Sequence, residues 1–488
     1  DSAPHMGVIN CWLKGVSYDL VCFKSKKQAV HFSLKSTAKK VQIAGEMNNW
    51  SPQNFKQTAG GLWTLDLSMD PGKYQYQLVV NDVWQLDPGN ERTADNGNGG
   101  TNSLLQVGEI YSEGPAQLFP SFNPEHTEIH FNNQLQELNV FWENFHLELF
   151  SNKKYSYQIP QEAKKCDRSH LRGWSVNARG QVSDFLIPLQ NGVPVVDPDA
   201  LRRQDKHSNV LYFMLVDRFF NGDTLNDEPL TDPEVHPKAN YHGGDIGGII
   251  QKLQTGYFTD LGISTIWLSP ITQNPLHAEI EYPAPHRKYS GYHGYWPISA
   301  TQIDHRLGNE SQLKALVKNA HSKNINVILD YVSNHVHEQN PIIKAHPDWA
   351  TVLDLPDGRK NIRIWDEQRL TTWFDVFLPT LDFSKPEVTE LMTDSALYML
   401  QKYDLDGFRH DATKHIPETF WRRLTQKIKQ NCKRPVYQIG ETFGSRELIG
   451  SYVSSGQMDG QFDFNLYFDL RSVLAGEKTS FRKLDESM

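Results

Sequence analysis

The stretch Val210-Leu211-Tyr212-Phe213-Met214-Leu215-Val216 is an unbroken run of apolar and aromatic residues. Runs of this kind are typical of a parallel strand that is buried on both faces. Similar short runs recur further along the chain, at 265–268, 326–330 and 436–439. Helical patterns lie between them, as at 310–323 and 388–402. This alternation of strands and helices predicts βαβ units and a parallel sheet.

The first 200 residues have a different pattern, in which apolar and polar residues alternate, as at 29–34 and 74–78. Alternation of this kind predicts half-buried strands, and turns rich in Asn, Gly and Pro separate them. We therefore predict three domains, with β domains at 1–107 and 108–200 and an α/β domain at 201–488. The stretch 336–384 is too long for a simple loop and predicts an inserted subdomain.

Composition excludes some classes of partner. The chain has 488 residues and a net charge of -9, which argues against nucleic acid because a phosphate backbone would be repelled. There is no run of 18 apolar residues, so we expect no membrane span. We expect a periplasmic or extracellular location, and the cytoplasm stays open as the alternative.

Four segments rich in polar residues lie at or just after predicted strands of the α/β domain, at 292–296, 330–335, 406–415 and 439–442. The carboxyl ends of parallel strands meet at one edge of the sheet, where the active sites of barrel enzymes lie. We therefore expect these segments to form one site.

In this order the four segments resemble the α-amylase family of glycoside hydrolases, which act on α-glucosidic bonds. The resemblance covers residues from about 209 to the end and implies a (β/α)8 TIM barrel preceded by two β-sandwich domains. It also implies that Asp411 is the nucleophile and Glu441 the acid/base. Retaining cleavage needs two such carboxyl groups about 5–5.5 Å apart.

Other residues of the four segments have roles implied by the same resemblance. Arg409 lies two residues from Asp411 on the same face of the strand and is expected to keep that carboxylate ionised. The remaining predicted substrate-site residues are Asp330, which orients the arginine, His293 and His335 on sugar hydroxyls, Tyr295 on a sugar ring, and Lys414 and His415 on the leaving-group side.

The resemblance predicts an endo-acting hydrolase of α-1,4-glucosidic bonds in starch-type glucans or maltooligosaccharides. The segment Leu378-Pro379-Thr380-Leu381-Asp382 resembles the short insertion motif of α-amylases more than that of neopullulanases. A cyclomaltodextrinase or neopullulanase remains the alternative, and with it a homodimer. The alternative from another class is a non-catalytic glycan-binding protein on a degenerate barrel.

The loop after the first barrel strand predicts a calcium site. Oxygen-bearing side chains lie close together there among glycines, which suits a hard cation, and the pattern resembles a site of cyclodextrin glucanotransferases. The alternative is a polar loop made of turn residues. By position the ligands are Asn221, Asp223, Asn226, Asp227, Gly243 through its carbonyl, and Asp245.

The N-terminal domain, 1–107, resembles the glycogen-binding module of AMP-activated kinase and of branching enzymes. The segments that carry the resemblance are 45–51, 71–76 and 81–88. Trp50 and Trp84 match the two stacking indoles, and Asn102 matches a hydroxyl-binding asparagine. Gln77 stands where the kinase module often has lysine. A scaffold that binds no sugar is the alternative reading, because fold does not imply function.

One element of the family pattern is missing from the sequence. No Asn-His-Asp motif follows Glu441, although the family carries a third catalytic aspartate there. The segment 462–468 resembles the sixth strand and 469–476 the helix after it. We expect the natural protein to continue beyond Met488 with two further βα units, and the six strands present to form an open sheet.

Overall fold

In the computed structural model of the protein, the chain divides into two units. Unit 1 comprises Asp1–Asn48, Pro52–His207 and Asn465–Met488, and unit 2 comprises Asn49–Ser51 and Ser208–Phe464. The residues that the structure describes are 4–13, 16–48, 50–95, 100–109, 120–123, 128–131, 135–149, 155–177, 180–454, 456–476, 481 and 484.

The strands of unit 1 are short and closely spaced. In chain order they are β1 Met6–Leu13, β2 Val16–Phe23, β3 Gln28–Lys35, β4 Val41–Gly45, β5 Gln53–Asn54, β6 Lys56–Gln57, β7 Leu62–Met69, β8 Gly72–Val80, β9 Val83–Gln85, β10 Thr93–Asp95, β11 Thr101–Val107, β12 Pro120–Asn123, β13 Glu128–Phe131, β14 Leu135–Trp142, β15 Phe145–His146, β16 Ser156–Gln158, β17 Ser169–Asn177, β18 Val182–Gln190 and β19 Val193–Pro194.

Unit 2 contains the remaining strands, namely β20 Leu211–Met214, β21 Thr265–Leu268, β22 Glu279–Ile280, β23 Lys288–Tyr289, β24 Asn326–Tyr331, β25 Gly407–His410, β26 Tyr437–Gly440 and β27 Gly460–Gln461. The α-helices of the chain are α1 Val216–Phe219, α2 Ile246–Gln254, α3 Tyr257–Asp260, α4 Glu310–Ser322, α5 Pro341–Ala345, α6 Pro386–Tyr403, α7 Glu418–Asn431, α8 Arg446–Ser451 and α9 Phe464–Ala475.

Unit 1 contains two separate hydrophobic cores, each lying between antiparallel sheets. The first is enclosed by the sheet β10-β11-β8-β4-β5, with β9 on β8, and by the sheet β3-β7-β6. The second is enclosed by β12-β13-β16 and by β15-β14-β17-β18-β19. Alternate side chains of these strands point into the cores, as Tyr76 and Leu78 of β8 do, because successive residues of a strand face opposite sides.

Unit 2 is built on one parallel sheet whose strand order is the order along the chain, β20-β21-β24-β25-β26-β27. Helices α2, α4, α6 and α7 connect its strands, and their apolar faces join one core with residues such as Ile266, Leu329 and Phe408. Among the described residues no pairing joins β20 to β27, so this sheet is open, as expected. The sheet and its helices confirm the predicted α/β fold class, with six parallel strands of the (β/α)8 type among the described residues.

One prediction of secondary structure was wrong. The aromatic-rich segment 462–468 was expected to form the sixth strand, but that strand is the two-residue β27, Gly460–Gln461. Helix α9 already begins at Phe464. The run Phe464-Asn465-Leu466-Tyr467-Phe468 alternates too weakly to specify a strand, since its aromatic residues at 464, 467 and 468 also have helical spacing.

The described residues form no helix that is both long and apolar enough to cross a membrane.

Candidate active site

The carboxyl ends of three neighbouring strands bring the predicted catalytic residues together. Asp330 of β24 is in register with Arg409 of β25, and Arg409 is in register with Ile439 of β26. Asp411 and Glu441 each follow the last residue of their strand. Because the strands are parallel and adjacent, all four polar side chains reach the same edge of the sheet.

Arg409 lies at the centre of this group. Its Nη1 donates to Oδ1 of Asp330 at 2.8 Å and to Oδ1 of Asp411 at 2.9 Å, and its Nη2 lies 2.7 Å from Oε2 of Glu441. Burial alone would lower the pKa of the guanidinium, but the three surrounding carboxyl groups raise it. The arginine is therefore a permanent positive charge that three carboxyl groups share.

The environments of the two proposed catalytic carboxyl groups differ. Burial raises the pKa of Asp411, while the charge and the hydrogen bond of Arg409 oppose that rise. Burial and the nearby charge of Asp411 both raise the pKa of Glu441, with Arg409 acting against them. The Glu441 side chain is also the more accessible, with 35% exposed against 11% for Asp411. The charge of Asp411 therefore favours the protonated form of Glu441, which is the form that acts as an acid.

Asp330 is held by two donors besides the arginine. The hydroxyl of Tyr295 donates to its Oδ2 at 2.8 Å, and Nε1 of Trp267 donates to the same oxygen at 3.2 Å. Burial raises the pKa of Asp330 to about 7, against the lowering effect of Arg409. The sequence reasoning missed Trp267. Trp267 lies in the apolar strand β21, where the sequence pattern predicts a core residue, and only its indole N–H can take part in the polar site.

The imidazoles of His293 and His335 flank Tyr295. The backbone N–H of Tyr295 donates to Nδ1 of His293 at 3.0 Å, and Nε2 of His335 lies 3.0 Å from the Tyr295 carbonyl. Burial lowers the pKa of His293 to about 3 and that of His335 to about 4. Both rings are therefore neutral near pH 7. The predicted stacking of Tyr295 on a sugar stays a prediction, and its ring is stacked on His293, with centroids 5.8 Å apart.

Residues of the inserted subdomain contact Lys414 and His415. Nζ of Lys414 lies 3.5 Å from Oδ1 of Asp366, and Nδ1 of His415 donates to the carbonyl of Arg369 at 2.7 Å. Burial lowers the pKa of His415 to about 4.

Two aromatic residues of that subdomain pack on the histidine rings of the site. Trp365 lies with its ring centroid 5.3 Å from the ring of His415, and Phe374 is stacked on His335 at 4.7 Å. Sequence reasoning missed both residues, because their partners are distant in the chain and no motif marks them.

The loop after β20 brings the predicted calcium ligands together in part. Nδ2 of Asn221 donates to both carboxylate oxygens of Asp227, at 2.9 and 2.8 Å. Gly243 has φ of 82°, and a Cβ there would lie 2.2 Å from Oδ1 of Asp227. The Oδ1 atoms of Asn221 and Asn226 are buried and have no hydrogen-bond partner. Two such oxygens beside a carboxylate suit a hard cation.

The other two predicted calcium ligands are already engaged. Asp245 is the N-cap of α2, and its oxygens accept the backbone N–H groups of Gly248 at 2.6 Å and of Asp223 at 2.8 Å. Oδ1 of Asp223 accepts the backbone N–H of Leu225 at 3.1 Å. Asp245 therefore has less free acceptor capacity than Oδ1 of Asn221 and of Asn226, which accept no hydrogen bond.

The predicted sugar-binding residues of the N-terminal domain differ in exposure. Trp84 is 47% exposed on β9, whereas Trp50 is half-buried and has φ of 60°. Asn102 is buried, and its amide donates to Oε1 of Gln75 at 2.9 Å and accepts from Nε2 of Gln77 at 2.9 Å. A sugar hydroxyl would have to displace one of these glutamines, so Trp84 is the most accessible candidate of the three.

Two parts of the chain match known families. Residues 213–486 match the α-amylase catalytic domain, and residues 28–112 match the glycogen recognition site of AMP-activated protein kinase. The first match covers more than half of the chain, which therefore belongs to the α-amylase catalytic domain family. The predicted family and the glycogen-binding-like domain before it are thereby confirmed.

Two relatives each match more than half of this chain. A β/α-amylase of Paenibacillus polymyxa is 30% identical over 285 residues, which are 57% of this chain and 22% of that protein. A cyclomaltodextrinase of Geobacillus thermopakistaniensis is 31% identical over 279 residues, 53% of this chain and 41% of that protein. The chain thus spans less than half the length of these relatives.

A solved structure extends the likeness to the whole chain. The maltogenic amylase from S. marinus aligns with 99% of this chain and 75% of its own, with a TM-score of 0.52 and 19% identity. At this identity the likeness is one of fold, and it includes the N-terminal β domains.

Proposed function

We propose that the protein hydrolyses α-1,4-glucosidic bonds of starch-type glucans or maltooligosaccharides with retention of configuration. The observation that carries this proposal is the sharing of one buried guanidinium by Asp330, Asp411 and Glu441. This arrangement places two carboxyl groups side by side at the strand ends and gives them different electrostatic environments. The membership of the α-amylase family supports the choice of an α-glucan as substrate.

The reaction proceeds in two displacements. A carboxylate oxygen of Asp411 attacks the anomeric carbon while Glu441 gives its proton to the glycosidic oxygen, and the C–O bond to the leaving sugar breaks. Water then attacks the anomeric carbon of the glycosyl ester, its proton passes to Glu441, and the bond to Asp411 breaks. Two inversions leave the product in the α configuration.

The anomeric form of the first product tests this mechanism. We expect NMR spectra recorded within minutes of adding enzyme to maltoheptaose to show newly formed α-anomer before mutarotation. Initial release of β-anomer would contradict the double displacement.

Product patterns from starch, pullulan and β-cyclodextrin then distinguish the hydrolase of linear glucans from the cyclomaltodextrinase or neopullulanase alternative. No hydrolysis of any of the three would favour a glycan-binding protein.

We also propose that the loop after β20 holds a calcium ion. The buried Oδ1 atoms of Asn221 and Asn226 and the carboxylate of Asp227 support it, together with the carbonyl of Gly243 as a further hard ligand. The ion would have a structural role there, because it would join the loop 221–227 to the segment 243–245, which ends at the N-cap of α2.

Removal of calcium should destabilise the protein. A bound ligand at 100 times its Kd contributes about 2.7 kcal/mol, so we expect chelation with EGTA to lower the melting temperature by several degrees. The variant Asp227→Ala should melt at a lower temperature and no longer respond to EGTA. Asp354→Asn, an equal loss of charge at an exposed turn, is the control and should respond like the wild type. An EGTA response that survives in Asp227→Ala would contradict the proposed site.

For the N-terminal domain we propose binding of glucan rings at Trp84, with Trp50 as the second predicted platform. Replacing both by Ala should weaken retention on glycogen about tenfold, the equivalent of 1.4 kcal/mol, because indole faces pack on sugar rings. Turnover of maltotriose should not change. Phe145→Ala removes an aromatic ring of the second β domain that is more exposed than Trp84, 62% against 47%, and is the control. Unchanged affinity for glycogen in the double variant would leave the domain as a scaffold.

A further inference from the structure

Two histidines and a glutamate meet at a point that the proposed hydrolysis does not use. Nε2 of His277 lies 2.8 Å from Oε1 of Glu279, and Nε2 of His337 lies 3.0 Å from the same oxygen. The potential ligand atoms of the three residues all lie within 4.8 Å of one another, and the described residues contain no other group of this kind.

The three residues come from two separate segments of unit 2. His277 and Glu279 belong to the loop after β21, where Glu279 begins β22. His337 lies at the start of the inserted subdomain, where its backbone N–H donates to the carbonyl of Pro297 at 3.0 Å. The His337 side chain is fully buried, Glu279 is 18% exposed and His277 is 45% exposed. The cluster is therefore closed on the His337 side and open to solvent at His277.

We propose that His277, Glu279 and His337 form a binding site for a divalent transition metal, with Zn²⁺ as the ion of best fit. Two imidazole nitrogens and one carboxylate oxygen are a ligand set that Zn²⁺ accepts, with water in the fourth position. Calcium and magnesium prefer all-oxygen sites, and the absence of a thiolate from the set disfavours soft metals.

The distances require only a small adjustment. Ligand atoms at about 2.1 Å from a tetrahedral metal lie about 3.4 Å from each other. The two nitrogen–oxygen distances of 2.8 and 3.0 Å would thus have to lengthen by about half an ångström. Rotation of the exposed His277 lengthens the first distance, and a small shift of the Glu279 carboxylate, which is 18% exposed, lengthens the second.

The hydrogen bonds of His337 fix the orientation of its ring. Nδ1 of His337 accepts the backbone N–H of Gln339 at 3.2 Å, and Nε2 lies 3.0 Å from Oε1 of Glu279. Metal binding at Nε2 would leave the ring proton on Nδ1, at the expense of the long bond from Gln339.

A bound metal would fasten the loop 277–289 to the inserted subdomain. The loop already has a second attachment, in which the backbone N–H of Tyr282 donates to Oδ1 of Asp375 at 3.0 Å. Tyr289 at the end of the loop packs on Trp296, with ring centroids 5.2 Å apart. We therefore assign the metal a stabilising role at the rim of the catalytic cleft, not a part in the chemistry.

Metal titration tests the proposal. The full chain is freed of metal by chelation, saturated with Ca²⁺ so that oxygen sites are filled, and titrated with Zn²⁺ by calorimetry and with Co²⁺ by visible absorption. We expect one equivalent to bind, with cobalt d–d bands typical of nitrogen and oxygen ligands. His277→Ala and Glu279→Gln should each lose that equivalent and its bands, and His277 is exposed enough that its variant should fold.

His305→Ala is the matched control. His305 is also an exposed histidine paired with a glutamate, Glu228 at 2.6 Å, but it belongs to no group of three ligands among the described residues. This variant should bind Zn²⁺ as the wild type does. The proposal is overturned if the wild type takes up no equivalent, or if His277→Ala and Glu279→Gln retain the same stoichiometry and cobalt spectrum.

Discussion

Replacement of Asp411 by asparagine should lower kcat/KM for maltoheptaose by at least about 10⁴-fold, because no other group can form the glycosyl ester. Asn has the size of Asp and can still accept from Nη1 of Arg409, so folding and substrate binding should be retained. The loss should appear in kcat, since the nucleophile acts on the transition state. Initial rates and the affinity for maltoheptaose, measured on the same preparation, separate these effects.

The matched control for this variant is Asp404→Asn. Asp404 is exposed at the end of α6 in the left-handed conformation, with φ of 54°, which asparagine tolerates well. The variant Asp404→Asn removes the same charge far from the strand ends at which the site lies. Its activity should equal that of the wild type. Residual activity of Asp411→Asn above about 1% of the wild type would show that the nucleophile is another residue.

The sequence was a good guide to the barrel because its strands are buried on both faces. Such strands leave continuous apolar runs, and α4 and α6 were located to within two residues. Helix α4 begins with a capping box. The side chain of Asn309 accepts the backbone N–H of Gln312, and the side chain of Gln312 accepts the backbone N–H of Asn309. The aromatic segment around 464–468 had no such signal, and there the prediction of a strand was wrong.

The proximity of the proposed catalytic residues was predictable for the same reason. Asp330, Arg409, Asp411 and Glu441 are each fixed by the end of a strand, so their order along the chain determines their proximity in space. Contacts made by the inserted subdomain were not predictable. Trp365 and Phe374 reach His415 and His335 from a loop without regular periodicity, and their approach depends on packing that no local pattern records.

Replacement of Glu441 by glutamine should have the second largest effect, and it should depend on the leaving group. A sugar leaving group needs a proton, so kcat/KM for maltoheptaose should fall about 10³- to 10⁴-fold, in the range of general acid catalysis. Fluoride leaves without a proton donor, so formation of the glycosyl ester from α-maltosyl fluoride should be nearly unaffected. Hydrolysis of the glycosyl ester still lacks the Glu441 carboxylate as its base. Fluoride release should therefore show a burst followed by a slow steady state.

Azide and pH then identify the role of Glu441. Azide needs no base to attack the anomeric carbon, so it should accelerate the steady state of Glu441→Gln and form α-maltosyl azide. In the wild type, kcat/KM should fall on the basic side as Glu441 loses its proton, and its raised pKa places this fall above the usual range for a glutamate. With α-maltosyl fluoride as substrate, Glu441→Gln should not show this fall of kcat/KM at high pH. The variant Glu387→Gln, at an exposed residue of α6, should show the same fall as the wild type. Equal losses with maltoheptaose and the fluoride, without azide rescue, would mean that Glu441 only positions Arg409.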